Sequence, residues 1–178
     1  LSIELKLETK DVYLIKENSA NAFVLDNNIY FTTGLLEVIN EEDSLKAIYL
    51  HEYGHLIKNH FQSKKIKIHQ SNNTNTFYSL LSVGLAVITG NTNLGVGTSI
   101  TINSNLVNEI SKHSINYEIE ADNFMIDNIK KNKINTSELI NFLNDLPNQR
   151  NKYFSTHPRN KDRINNLKKL KNNKNLNS

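Results

Sequence analysis

His51-Glu52-Tyr53-Gly54-His55 is the stretch from which the rest of the chain can be read. On an α-helix, residues four apart share a face, so His51 and His55 converge on one point. Two imidazole nitrogens meeting there can hold a Zn²⁺ at roughly 2.0–2.1 Å. Glu52 projects about 100° further round the helix. It is poorly placed to ligate but well placed to take a proton from water beside the ion. Two residues hold the metal and one moves a proton.

The flanks support a helix. Asn40 reads as an N-cap, with Glu41, Glu42 and Asp43 forming an acidic first turn that suits the positive end of the helix dipole. Leu45, Ala47, Ile48, Leu56 and Ile57 supply an apolar side of roughly helical period. Lys58 and His60 fall late, where a C-terminal turn favours basic residues.

A catalytic zinc site needs a third protein donor and a fourth position open to water. Glu118-Ile119-Glu120-Ala121-Asp122 offers the donor, in a helical segment expected from about Ile115 to Lys131. Glu118 and Asp122 share a face, whereas Glu120 points elsewhere. One carboxylate can complete a His₂Glu set while the other hydrogen-bonds a ligand imidazole. The bland reading, an ordinary acidic helix face, yields once the histidine pair is present. His60, His69 and His113 are rival ligands. The first two sit among Lys and Gln and read as solvated, and His113 reads as capping or flanking a helix.

With these segments in hand the chain resembles the HtpX, Oma and CAAX prenyl-protease type of zinc metallopeptidase, a gluzincin family. Four segments match in order. Asn21-Ala22-Phe23 with Ile29-Tyr30-Phe31-Thr32-Thr33-Gly34-Leu35-Leu36 is similar to the family's entry strands. His51 to His55 is similar to its zinc helix, and Glu118 to Asp122 to its third-ligand segment. Ser155-Thr156-His157-Pro158, followed by Arg163-Ile164, resembles its closing signature. The resemblance implies a single Zn²⁺ held by His51, His55 and Glu118, with Glu52 as general base. It further implies that Asp122 orients a ligating histidine and that Asn21 and His157 flank the cleft to stabilise the oxyanion. Arg163 would tie down the loop carrying His157. One departure is Ser114-Ile115-Asn116, where the family often has an Arg; no metal ligand is lost by it.

Taken alone, His157 is a loop histidine before a proline, in a position pushed toward extended backbone, and such residues are mostly surface groups. Its interest is that an imidazole N–H is a good donor to a developing oxyanion. Asn21 is one of many asparagines, and only its place in the matched strand distinguishes it.

Composition bounds the remainder. A chain of 178 residues with 38% hydrophobic content can build one real core. The net charge of +3 is mild, without a basic stripe or nucleic-acid motif, so a nucleic-acid partner is not expected. The absence of cysteine excludes disulfides and thiolate metal sites. The chain opens at Leu1 without an initiator Met or a signal-like region, which reads as a processed or excised segment. No run reaches the roughly 18–20 apolar residues of a membrane helix.

The expected architecture is α+β: a mainly helical zincin-like domain with a small N-terminal sheet. One domain is expected over 1–178, with strands to about 33, mostly helix from 41, and a frayed tail at 172–178. Leu1, Ile3, Leu5 and Leu7 alternate with polar residues as in a half-buried strand. Val12-Tyr13-Leu14-Ile15 is a short apolar run, and Ala22 to Leu25 forms a hairpin with Ile29 to Phe31 across Asp26-Asn27-Asn28. A short helix follows from Gly34 to Ile39, and further helices are expected at 80–89, 136–143 and 160–171. The stretch from Ile68 to Asn108 contains no Asp, Glu, Lys or Arg. It reads as a buried helix and a Gly/Asn/Thr loop, with a lid or a membrane-resting patch at 78–100 as the functional alternative. The function expected is a zinc metalloendopeptidase of envelope protein quality control, periplasmic or membrane-associated, binding polypeptide substrate in extended form. A catalytically silent, zinc-stabilised binding or chaperone-like module is the alternative, and a zinc hydrolase of non-peptide substrates a third.

Overall fold

A computed structural model describes residues 1–25, 27–70, 104–135, 157, 165 and 168. The architecture is α+β, with three strands and four helices among these residues. The strands are β1 (Val12–Ile15), β2 (Ala22–Leu25) and β3 (Asn28–Thr32). The helices are α1 (Thr33–Val38), α2 (Glu42–Ile57), α3 (His60–Gln70) and α4 (Ser104–Asn132).

The sheet runs in the order β1-β3-β2, with β1 parallel and β2 antiparallel to β3. Leu25 pairs with Asn28, so β2 and β3 form the expected hairpin, tighter by one residue because Asn28 already belongs to the strand. Asn27 supplies the left-handed turn at φ 69°, a conformation Asn tolerates better than most residues. Thr32 joins three segments. Its hydroxyl, 2.7 Å from Ser19 O and 3.0 Å from Asn21 O, accepts from Asn21 N and from Leu35 N, and so caps α1. At the next turn a Cβ on Gly34 would overlap the backbone of Asn18, so only glycine fits there.

The N-terminal alternation does not make a strand. Leu5 N donates to Leu1 O (2.9 Å) and Leu7 N to Ser2 O (2.9 Å), winding the segment into a turn. Ile3 is 83% exposed and Leu5 only 2%, although a strand would put both on one face. Lys6 ends the turn at φ 56°, and Lys46 of α2 ties it down through Glu4. Local bonding thus satisfies the backbone without a pairing strand.

Helix α2 begins one residue later than expected, with Glu41 as N-cap and no side-chain cap, and Glu42 and Asp43 in its acidic first turn. More than one face is covered. Every side chain from Ala47 to Leu56 is buried, so α2 is the axis of the domain rather than an amphipathic surface helix. The sheet covers one side of it and α4 crosses the other, presenting Glu118, Ala121, Asp122, Met125 and Ile129 as one buried stripe at helical spacing. The crossing is close. A Cβ on Gly54 would stand 3.0 Å from Ala121 Cα and 3.2 Å from Ala121 O. Helix α4 starts eleven residues before the expected Ile115, which places His113 within it rather than at its end. No helix among the described residues is long and apolar enough to cross a membrane. The helices expected at 80–89 and 136–143, the segment 78–100 and Arg163 lie outside the described residues; Asn165 and Lys168, within the expected closing helix, are helical.

Candidate metal centre

His51, Glu52 and His55 all lie in the buried centre of α2, at 1%, 0% and 7% exposure. Charged and polar groups so placed need partners, because desolvation would otherwise cost several kcal/mol each. The partners come from α4 and from His157. His51 Nε2 and His55 Nε2 are 3.1 Å apart. Glu118 on α4 places Oε2 3.3 Å from His51 Nε2 and Oε1 3.3 Å from His55 Nε2. His157 Nδ1 stands 3.2 Å from His51 Nε2 and 3.0 Å from Glu118 Oε2. These four residues offer ligand atoms that all lie within 4.8 Å of one another.

The size of this cluster tests its fitness for a metal. A tetrahedron with roughly 2.0–2.1 Å from centre to corner has edges of roughly 3.3–3.4 Å. The five donor separations above, which involve both Glu118 oxygens, run from 3.0 to 3.3 Å, and one donor atom from each residue lies within 4.8 Å of the others. Imidazole and carboxylate lone-pair donors thus converge closely enough for one small divalent cation. The residues fit such an ion.

Outer contacts aim the rings. His51 Nδ1 is 2.9 Å from Asp122 Oδ1, one helical turn beyond Glu118 on the same face of α4. His157 Nε2 is 3.1 Å from Ala22 O on β2 and 3.2 Å from Glu52 Oε1. His55 Nδ1 is 2.9 Å from His60 Nδ1, and His60 Nε2 is 3.2 Å from Glu120 Oε2. Asn21 is fully buried at the residue before Ala22, its backbone pinned by Thr32.

His157 Nδ1 stands among the donor atoms, and its other nitrogen meets Ala22 O and Glu52 Oε1. One expectation is corrected here. His60 is not solvated: it is 2% exposed and stacks on Tyr117 at 4.4 Å between ring centres. Its burial was hidden in the sequence by the neighbouring lysines. The available signal was its spacing, five residues after His55 and just past the end of α2. Glu120 does point away from the cluster, and it meets His60 there.

The electrostatics separate the two helix histidines. Burial pushes His51 down, but the Asp122 and Glu118 carboxylates overcome it and raise His51 to about 9. His55 is lowered to about 3 by burial, with Glu118 opposing and His51 adding repulsion. The Asp122 and Glu118 carboxylates thus favour a proton on His51, while burial disfavours one on His55. Burial alone would raise Glu118, yet the His157, His51 and His55 rings hold it well below the usual carboxylate range.

Comparison with curated proteins finds no match. Comparison with family models matches residues 2–171 to Peptidase family M48. That match covers nearly the whole chain and every residue of the cluster, and it agrees with the resemblance drawn from the motifs. A buried His/Glu centre of metal-binding size, set on an HExxH helix and a crossing acidic helix, is thus found in a chain that belongs to peptidase family M48, a family of metallopeptidases.

Proposed function

We propose that the chain is a zinc metalloendopeptidase in which His51, His55 and Glu118 hold one Zn²⁺ and Glu52 is the general base. The observation that carries this reading is the convergence of four buried donor residues, with a second carboxylate, Glu52, linked to them through His157. Zinc bound there supplies Lewis acidity, lowering the pKa of water and polarising a peptide carbonyl. Glu52 accepts the proton of the attacking water and delivers it to the leaving amine. Asp122 holds the His51 ring with its Nε2 turned inward.

His157 has two tasks to reconcile. Its ring stands among the donors, where water must also enter, so turnover requires it to withdraw. Once withdrawn it remains tethered near Glu52, where its N–H can donate to the developing oxyanion, with Asn21 at the same end of β2. Ala22 O, which now receives His157, is a backbone acceptor of the kind an extended substrate uses when it adds as a strand. An extended polypeptide substrate suits such an edge, and a place in envelope protein quality control is the setting we propose.

His157 among the donors also favours a second reading, because four protein donors are the mark of structural zinc. In that case the chain is a catalytically silent, zinc-stabilised binding module. Casein digestion by the full chain separates the two. Cleavage abolished by a chelator and restored by Zn²⁺ supports the peptidase. Glu52→Gln should then keep its zinc and lose activity by about 10²–10⁴-fold, the usual worth of a general base. Full activity in that variant would remove Glu52 from the chemistry, and a zinc-loaded but inert parent protein would favour the structural site.

A further inference from the structure

We infer that His60 is a positioning residue of the metal centre, setting the tautomer and ring orientation of His55 through a proton chain that ends on Glu120. The inference rests on the zinc reading above and adds a component to it. A neutral imidazole has one N–H and one lone pair. If His55 turns the Nε2 lone pair inward, its Nδ1 carries the hydrogen and donates it. The atom 2.9 Å away is His60 Nδ1, which must then accept. An accepting Nδ1 leaves the His60 hydrogen on Nε2, and that nitrogen faces Glu120 Oε2 at 3.2 Å. Two contacts therefore specify one order of hydrogens from the metal ligand to the surface.

The local fold is built to make this contact. In an unbroken helix, a residue five places on would sit about 140° round from His55. Instead α2 stops at Ile57, Lys58 caps it, and Asn59 takes a left-handed conformation at φ 53°. The chain turns, α3 begins at His60, and the new residue folds back against the old one. Tyr117 holds the ring in place by stacking at an interplanar angle of 17°. Stacking needs only an aromatic ring; the two nitrogens, each facing a complementary group, are what packing does not explain. The outer nitrogens of the two ligands are thus supported unequally. His51 Nδ1 leans directly on the buried Asp122, while His55 Nδ1 meets His60 and through it a Glu120 side chain that is 51% exposed.

The test uses the full chain, with zinc affinity measured by competition against a chromophoric chelator and ligand geometry by the visible bands of the Co²⁺ form. His60→Phe keeps a ring against Tyr117 and removes both nitrogens. It should weaken zinc by about 10–100-fold, as loss of an outer partner does, and shift the Co²⁺ bands. His60→Asn returns a carbonyl oxygen near the site of Nδ1 and should recover most of the loss. Imidazole nitrogen–proton NMR on the unmodified, zinc-loaded protein should find the His60 hydrogen on Nε2. Unchanged affinity in His60→Phe, equal losses in the Phe and Asn variants, or a hydrogen on His60 Nδ1 would each overturn the inference. A parent protein that binds no zinc, or keeps it after His55→Ala, would instead overturn the zinc reading itself.

Discussion

Strand β1 and the middle of helix α2 have exchanged the environments their compositions suggest. Val12, Tyr13 and Leu14 are apolar or aromatic, yet they are 45%, 46% and 59% exposed on an edge strand. Helix α2 carries two histidines and a glutamate in its centre, and all three are buried. Position between partners, not residue hydrophobicity, decides burial here. Among the described residues the edge strand has a sheet neighbour on one side only, whereas α2 is enclosed by the sheet and α4. Burying His51, Glu52 and His55 makes sense because Glu118, Asp122 and His157 meet them, and the two contacts from α4 depend on Gly54 letting the helices touch.

The comparison breaks most severely at that contact. Gly54→Val puts side-chain atoms where Ala121 Cα and O already stand, 3.0 and 3.2 Å from a Cβ. The obstacle is backbone, so Ala121→Gly cannot relieve it. Overpacking of this kind costs about 1–3 kcal/mol, and the displacement of α4 should carry Glu118 away and abolish stoichiometric zinc binding. Thermal unfolding and metal analysis together would check both effects. Retained zinc in a folded Gly54→Val protein would show that the helices can part without opening the cluster.

A smaller change sharpens the electrostatic side. Asp122→Asn keeps an oxygen beside His51 Nδ1 but removes the charge that holds its proton. Zinc affinity should fall by about 10–100-fold, measured by chelator competition. Smaller again is the effect of pH. His51 has its metal-free pKa raised from 6.5 to about 9. Its charged form therefore supports the metal-free fold below about pH 6.5, and that support fades as pH climbs through about 9. Zinc binding has the opposite sign, since the ion must displace this proton. Affinity should rise by up to about tenfold per pH unit toward pH 9, and calorimetry in buffers of different ionisation enthalpy should register close to one proton released near pH 7. Asp122→Asn should flatten that slope. At the exposed end of the comparison, Leu14→Ser should alter stability by no more than about 0.5 kcal/mol, as read from a urea midpoint.

How far the sequence reaches can be judged residue by residue. His51, Glu52 and His55 are legible because helical geometry alone relates them, and the β2–β3 hairpin because its turn lies between two apolar runs. Glu118 and Asp122 are legible as a pair on one face, although their meeting with α2 depends on a helix crossing that no local pattern encodes. His157 and His60 are harder. The first reaches the cluster across more than a hundred residues of chain, and the second through a reversal at Asn59 that spacing alone does not announce. Leu1 to Leu7 shows the converse failure. Its alternation is real, but among the described residues no strand pairs with it, and its backbone closes on itself. The enclosure of α2 is also invisible to periodicity, since a helix covered on every side has no polar face to reveal its orientation.

Thr32 gives the N-terminal sheet a mechanical part to play. A single hydroxyl bonds the start of β2 and the first turn of α1 at once, so a shift of either segment loads its bond to the other. Ala22, next along β2, bears the carbonyl that receives His157. Strain applied far from the cluster, on the outer surface of α1, is therefore passed through that hydroxyl to the seat of His157.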